Sequence, residues 1–148
     1  MFATVLAGVM VFVLGQFILK LVLEPIVSLK EQFGFLSAFC LRYQAKLTNT
    51  NATPEVRDEL RSLTGLIVAK RRAVPFYKIA ARILNLPNER QVSDACRLLN
   101  RIGYAIVPIK QQFAPPPVQE IDGEIYGAFQ VARDLDKVGE LLKVTVKY

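Results

Sequence analysis

Residues 1–19 carry no charged side chain, and through residue 23 the stretch MFATVLAGVMVFVLGQFILKLVL holds Lys20 as its single charge. At about 1.5 Å of rise per residue, such a run makes a helix long enough for the ~30 Å hydrocarbon core of a bilayer. A helix apolar on every side has no stripe to offer water, so the sequence predicts a transmembrane helix over residues 1–23. A cleaved signal would show a basic segment before the apolar run and small residues at a cleavage site. Nothing basic precedes Phe2, and Leu21-Val22-Leu23-Glu24-Pro25 is no such site. The expected element is a permanent anchor in the lipid bilayer. Lys20, Lys30, Arg42 and Lys46 all lie on the carboxyl side and the amino side offers no Lys or Arg, which predicts an external N-terminus and a cytoplasmic body. Lys20 itself lies near the helix end, where its aliphatic stem can carry the ammonium to the headgroups.

Two features of this helix bear on association. Gly8 and Gly15 lie one heptad apart with Thr4 a turn earlier, so one stripe is small enough for close approach of a second helix. Gln16, polar at membrane depth, can add an interhelical hydrogen bond. These residues predict a homo-oligomer; the alternative is the ordinary abundance of small residues in spanning helices.

Beyond the span, Glu24 and Pro25 suit a helix start, because proline has no N–H to waste in a first turn and an acid favours the positive end of the dipole. A new or kinked helix is expected there. Ile26, Leu29, Phe33, Leu36, Cys40, Tyr43 and Leu47 then recur at alternating spacings of three and four, an a/d seam. The seam is either a subunit interface or the groove against which the rest of the chain folds. Val27, Phe35, Ala38 and Phe39 widen the stripe beyond a two-stranded coil and favour a multi-helix body.

After a polar loop, Thr53-Pro54-Glu55 opens a second helix with Val56, Leu60, Leu63, Ile67 and Val68 on one face. Its acids come early, and its bases, Lys70, Arg71 and Arg72, come late, in accord with the macrodipole. Residues 25–47 make about 35 Å of helix and residues 54–72 about 29 Å. A short-loop hairpin therefore returns Lys70, Arg71 and Arg72 to the membrane surface, where anionic lipid is the expected ligand. Simple capping of the helix end and another acidic partner are the alternatives.

The rest of the composition excludes much enzymology. The chain has no His, which removes Ser-His-Asp and Cys-His catalysis and His-ligated metal centres. Its two cysteines, Cys40 and Cys96, are far apart, so no zinc knuckle or dithiol motif exists. No G-x-S-x-G motif, P-loop or glycine-rich phosphate loop occurs. Catalytic residues, metals and cofactors are accordingly expected to be absent.

In the second half, Phe76, Ile79, Ala80, Ile83 and Leu84 are expected to share a buried face of a helix begun by Pro75. Pro87-Asn88-Glu89 opens another, with Val92, Cys96, Leu99 and Ile102 at helical spacing and Gly103 as its expected stop. The run IAARILNLPNERQVSDACRLLNRIGYAIV, residues 79–107, resembles a winged helix-turn-helix. That resemblance implies an exposed recognition face carrying Arg90, Gln91, Arg97 and Arg101, and nucleic acid as an alternative partner. The opening block VLAGVMVFVLGQFILKLVLEPI, with helices after it, resembles a group of small bacterial single-pass membrane proteins. The likeness covers about the first 100 residues, and it implies a bacterial inner-membrane address and a helical body.

Residues 104–109 are expected as a short strand and residues 144–148 as a short strand or frayed end. Residues 114–117, Ala-Pro-Pro-Pro, form a stiff spacer. The charge changes sign around it: residues 25–112 hold 14 basic side chains against six acidic, and residues 113–148 four against six. This asymmetry would let the tail fold back on the body or dock on a neighbouring subunit. A helix bearing Val131, Leu135, Val138 and Leu142 is expected within the tail.

The expected fold class is therefore mainly α, with three parts: a transmembrane helix (1–23), a helical cytoplasmic domain (24–112) opening on a juxtamembrane hairpin with minor β, and a Pro-rich spacer with an acidic segment (113–148). The expected function is a non-enzymatic, single-pass inner-membrane protein that self-associates and binds a protein partner, as adaptor, regulator or membrane-acting effector. A membrane-tethered nucleic-acid-binding regulator is the alternative.

Overall fold

The structure is a computed structural model and describes residues 2–107, 120–121, 124–125 and 127–146. The chain is mainly helical. Its longest feature is an unbroken helical rod, Phe2–Arg42, made of α1 (Phe2–Ile18), a π-helical turn (Leu19–Leu23) and α2 (Glu24–Arg42). The break expected at Pro25 is thus absorbed rather than made. Proline supplies no N–H and its ring crowds the carbonyl four residues back; widening the turn before it lets Glu24 N–H bond the Leu19 carbonyl and keeps the rod continuous.

The body is built on the second half of that rod. A short helix, α3 (Gln44–Thr48), follows a break at Tyr43, whose ring sits 5.0 Å from that of Phe39. Then come α4 (Pro54–Ala73), α5 (Tyr77–Ile83), α6 (Glu89–Ala105) and α7 (Ala128–Leu142). α2 packs on α4, α4 on α6, α6 on α7, and α3 on α7. The chain order of two contacts fixes a direction. Ala52 N–H bonds the Ile106 carbonyl at 2.9 Å, and Arg71 meets Glu89 at 3.1 Å, so α4 and α6 run antiparallel.

One core serves all these helices. Leu29, Leu36, Leu47, Leu60, Ile67 and Leu99 are among its fully buried side chains. The a/d seam residues Ile26, Leu29, Phe33, Leu36, Cys40 and Leu47 are all buried in it, with Tyr43 partly buried beside them. Of the two uses open to that seam, the chain's own folding takes it. Burying a side chain of Leu or Ile size contributes on the order of 1.5–3 kcal/mol, so this row is a principal source of the body's stability.

The acidic tail folds back on the same body. α7 buries Val131, Leu135, Val138 and Leu142, as its spacing predicts, and Asp134 lies 3.8 Å from Arg101 of α6. Lys143 ends the helix in a left-handed conformation, φ 56°, and the following residues turn back so that Val146 is buried and Ser37 Oγ donates to the Thr145 carbonyl.

Among the described residues the expected minor β is not found where the sequence placed it; residues 108–109 and 147–148 lie outside them. Tyr104 and Ala105 complete α6, because that helix continues through Gly103, which is buried in the α4–α6 contact instead of stopping it. Residues 144–146 adopt no regular element. Among the described residues the one extended pairing is a two-residue antiparallel bridge, β1 (Glu120–Ile121) with β2 (Glu124–Ile125). The 114–117 spacer lies outside the described residues.

Candidate functional site

Three surfaces bring together the side chains that sequence singled out. The first is α1. It buries no residue, and the most apolar stretch of the rod it opens is left uncovered by the body. Among the described residues the rod Phe2–Arg42 is the one helix long and apolar enough to cross a membrane. Thr4, Gly8 and Gln16 lie open on it with Gly15 half-buried, and a Cβ added at either glycine would meet nothing within 4 Å.

The second surface is the basic end of α4. Lys70 and Arg71 are half-buried and Arg72 is exposed. Arg71 is committed to Glu89, which stitches the end of α4 to the start of α6. The cluster is therefore not three equivalent cations: one of them is a structural clasp. An exposed pair of this kind is worth at most about 1 kcal/mol, so its main consequence is position.

The third is α5 with the turn into α6. Phe76, Ile79 and Ile83, expected to face the core, are 79%, 61% and 74% exposed. The reason is local geometry. Phe76 adopts a left-handed backbone, φ 50°, so α5 begins at Tyr77 and is rotated to bury Tyr77, Ala80 and Ala81. Tyr77 Oη donates to the Pro87 carbonyl at 2.6 Å, which fixes the inward face. Burial pushes the Tyr77 hydroxyl above its ordinary pKa, with Arg71 opposing and Glu89 adding to the shift. Between α5 and α6 a cleft of about 420 Å³ is lined by Tyr77, Lys78, Arg82, Asn88, Glu89 and Gln91, among others.

The residues of the expected nucleic-acid face are spread along α6 and largely engaged. Gln91 completes a capping box: its side chain accepts from Asn88 N–H at 2.7 Å while Asn88 Oδ1 accepts from Gln91 N–H at 2.8 Å. Arg97 pairs with Asp94 at 3.5 Å and Arg101 with Asp134. Arg90 is exposed.

Both thiols are buried. Burial pushes the Cys40 thiol up to about 12 and the Cys96 thiol to about 11, the latter opposed by Arg71. A nucleophilic thiolate at neutral pH needs the opposite environment. Among the described residues no group of three or more His, Cys, Asp or Glu side chains could hold a metal ion. Compared with known protein families, with curated proteins and with solved structures, the chain matches none.

Proposed function

We propose that this chain is a non-enzymatic, single-pass membrane protein in which α1 is the lipid-embedded anchor and the remainder is a rigidly mounted cytoplasmic helical domain, acting as an adaptor or regulator for a protein partner. The observation that carries this reading is the continuity of the rod. α1, fully open and apolar, runs without a break into α2, whose seam is the core of the body. A body hung on a flexible linker would sample many orientations; one built on the anchor helix itself is held at a fixed height and attitude.

In this arrangement α2 and α4 form the juxtamembrane hairpin. The connection 43–53 is short, so α4 travels back alongside α2 toward the bilayer. Packing of Val22 against the core places the body's upper edge level with the end of the apolar run. The basic residues after the span hold that edge on the cytoplasmic side. Self-association belongs to α1, because the seam of α2 is occupied and the small-residue face around Gly8 and Gly15 is open.

Two measurements test the proposal together. The full-length protein should stay in the membrane pellet after alkaline carbonate washing and should require detergent for release; recovery in the soluble fraction rejects the anchor. Single-molecule photobleaching in detergent should then count more than one copy, falling toward one in Gly8→Leu/Gly15→Leu. A single copy at high protein concentration, unchanged by that pair, rejects self-association and leaves the anchor standing.

A further inference from the structure

We propose that α5 is a second membrane contact: a short interfacial helix whose exposed ridge, Phe76, Ile79 and Ile83, enters the headgroup–acyl boundary of an anionic leaflet while Arg72, Lys78 and Arg82 hold the lipid phosphates. The inference rests on the reading of α1 as a spanning helix and adds a site that the basic cluster of α4 alone does not define.

Two members of the ridge, Ile79 and Ile83, share one face of α5, and Phe76 immediately precedes that helix. Positions 79 and 83 lie one turn apart, and all three side chains are large, apolar and open. A soluble surface seldom gathers such residues unless something covers them. Phe76 adds a further mark. Its left-handed backbone is unfavourable for a bulky residue, yet the strain turns an aromatic ring outward instead of burying it. The fold holds it there from behind, through the Tyr77 hydroxyl bond to Pro87 and through Lys143 Nζ, which donates to the Asn85 carbonyl at 3.2 Å just beyond α5.

Charge selects the occupant. From Glu59 to Glu89 no acid intervenes, whereas Arg61, Lys70, Arg71, Arg72, Lys78 and Arg82 all fall in this interval. Arg72, Lys78 and Arg82 are exposed, the last two on the side of α5 that lines the cleft shared with Glu89. Apolar side chains rimmed by cations match an anionic bilayer, where acyl chains receive the former and phosphates the latter. Position agrees. α4 follows the connection 43–53 and packs on α2, so it runs back along α2 toward the proposed anchor and carries its end and α5 toward the bilayer-facing edge of the body. An apolar ridge with a basic rim at that edge meets lipid before it meets any soluble partner.

The chain contains no tryptophan, so a single introduced one reports its own surroundings. The full-length Phe76→Trp protein, reconstituted in vesicles of phosphatidylglycerol and phosphatidylcholine, should show emission strongly quenched by brominated acyl chains and weakly by aqueous acrylamide. In vesicles of phosphatidylcholine alone, or with Lys78→Glu/Arg82→Glu added, the bromine quenching should fall severalfold. Ile79→Trp and Ile83→Trp give the same readout where residue 76 keeps its native backbone. If all three tryptophans remain open to acrylamide and untouched by bromine, the ridge faces water and the proposal fails. Protection from both quenchers means a protein surface covers it, which also overturns the proposal, and quenching equal in neutral vesicles overturns the assignment to anionic lipid. A Phe12→Trp protein separates the two readings: bromine near the bilayer centre should quench it, and if that alone occurs the anchor stands while the α5 contact falls.

Discussion

Cys40 carries two predictions from one fact, its burial. In the folded protein a maleimide should modify neither Cys40 nor Cys96 at neutral pH, and both should react once the chain is denatured, as read by mass spectrometry. The pH dependence follows from the same burial, which raises the Cys40 pKa from 9.0 to about 12. The unfolded chain ionises this thiol first as pH rises. Its contribution to folding is therefore whole below 9.0 and is lost progressively up to about 12. Chemical denaturation of the wild type and of Cys40→Ala should show the difference in stability between them shrinking over that window. A second residue is decided by a contact remote in sequence. A Cβ at Gly139 would lie 2.9 Å from Val146 Cγ2 and 3.0 Å from the Val144 carbonyl oxygen. Gly139→Ala should cost about 1–3 kcal/mol, the usual penalty of forcing volume into a packed site, whereas Gly8→Ala, in open space, should leave the unfolding midpoint of the body unchanged. In the sequence Gly139 looks like a flaw in a helix; only the return of residues 144–146 over α7 gives it a purpose.

At the level of elements, periodicity was readable wherever a helix had enough turns to declare a face. α2, α6 and α7 bury the three-and-four seams their spacing marks, and α4 buries Val56, Leu60 and Ile67 with Leu63 and Val68 partly covered, because several turns of apolar positions fix one inward face; Val27, Phe35 and Ala38, expected to widen the stripe of α2, stay exposed outside it. α5 has seven residues, and its orientation is set by the strained Phe76 and by the Tyr77–Pro87 hydrogen bond, neither of which the local pattern announces. Gly103 failed as a stop signal for a related reason: tertiary packing between α4 and α6 carried the helix through a residue that weakens it locally. The start of α6 was legible in Pro87-Asn88-Glu89, and the reciprocal bonds of Asn88 and Gln91 explain why. Asn88→Ala should lower stability by about 1 kcal/mol, measured by thermal or urea unfolding, and should raise amide exchange over the first turn of α6. The same change in the middle of that helix's exposed face, at Asn100, should have a much smaller effect.

The whole molecule joins an apolar rod to a basic body through one uninterrupted helix, so that, with the rod as the proposed anchor, its orientation decides which compartment the body occupies. On that reading Lys20 sits at the end of the proposed span and Lys30, Arg42 and Lys46 follow it, a charge asymmetry that favours a cytoplasmic body. The connection between α2 and α4 reports the outcome, since Asn49 is exposed there at the far end of the rod. In cells expressing Asn49→Cys, an impermeant maleimide should give no labelling until the membrane is permeabilised. The two native thiols do not confuse the measurement, because both are buried and held protonated by their surroundings. Labelling of intact cells would put the body outside, and it would then remove the cytoplasmic leaflet as the surface that Arg72, Lys78 and Arg82 address. Reversing the charges at Lys20 and Lys30 to Glu should increase the fraction labelled without permeabilisation, because it weakens the asymmetry that fixes the rod while leaving the buried seam from Ile26 to Leu47 untouched.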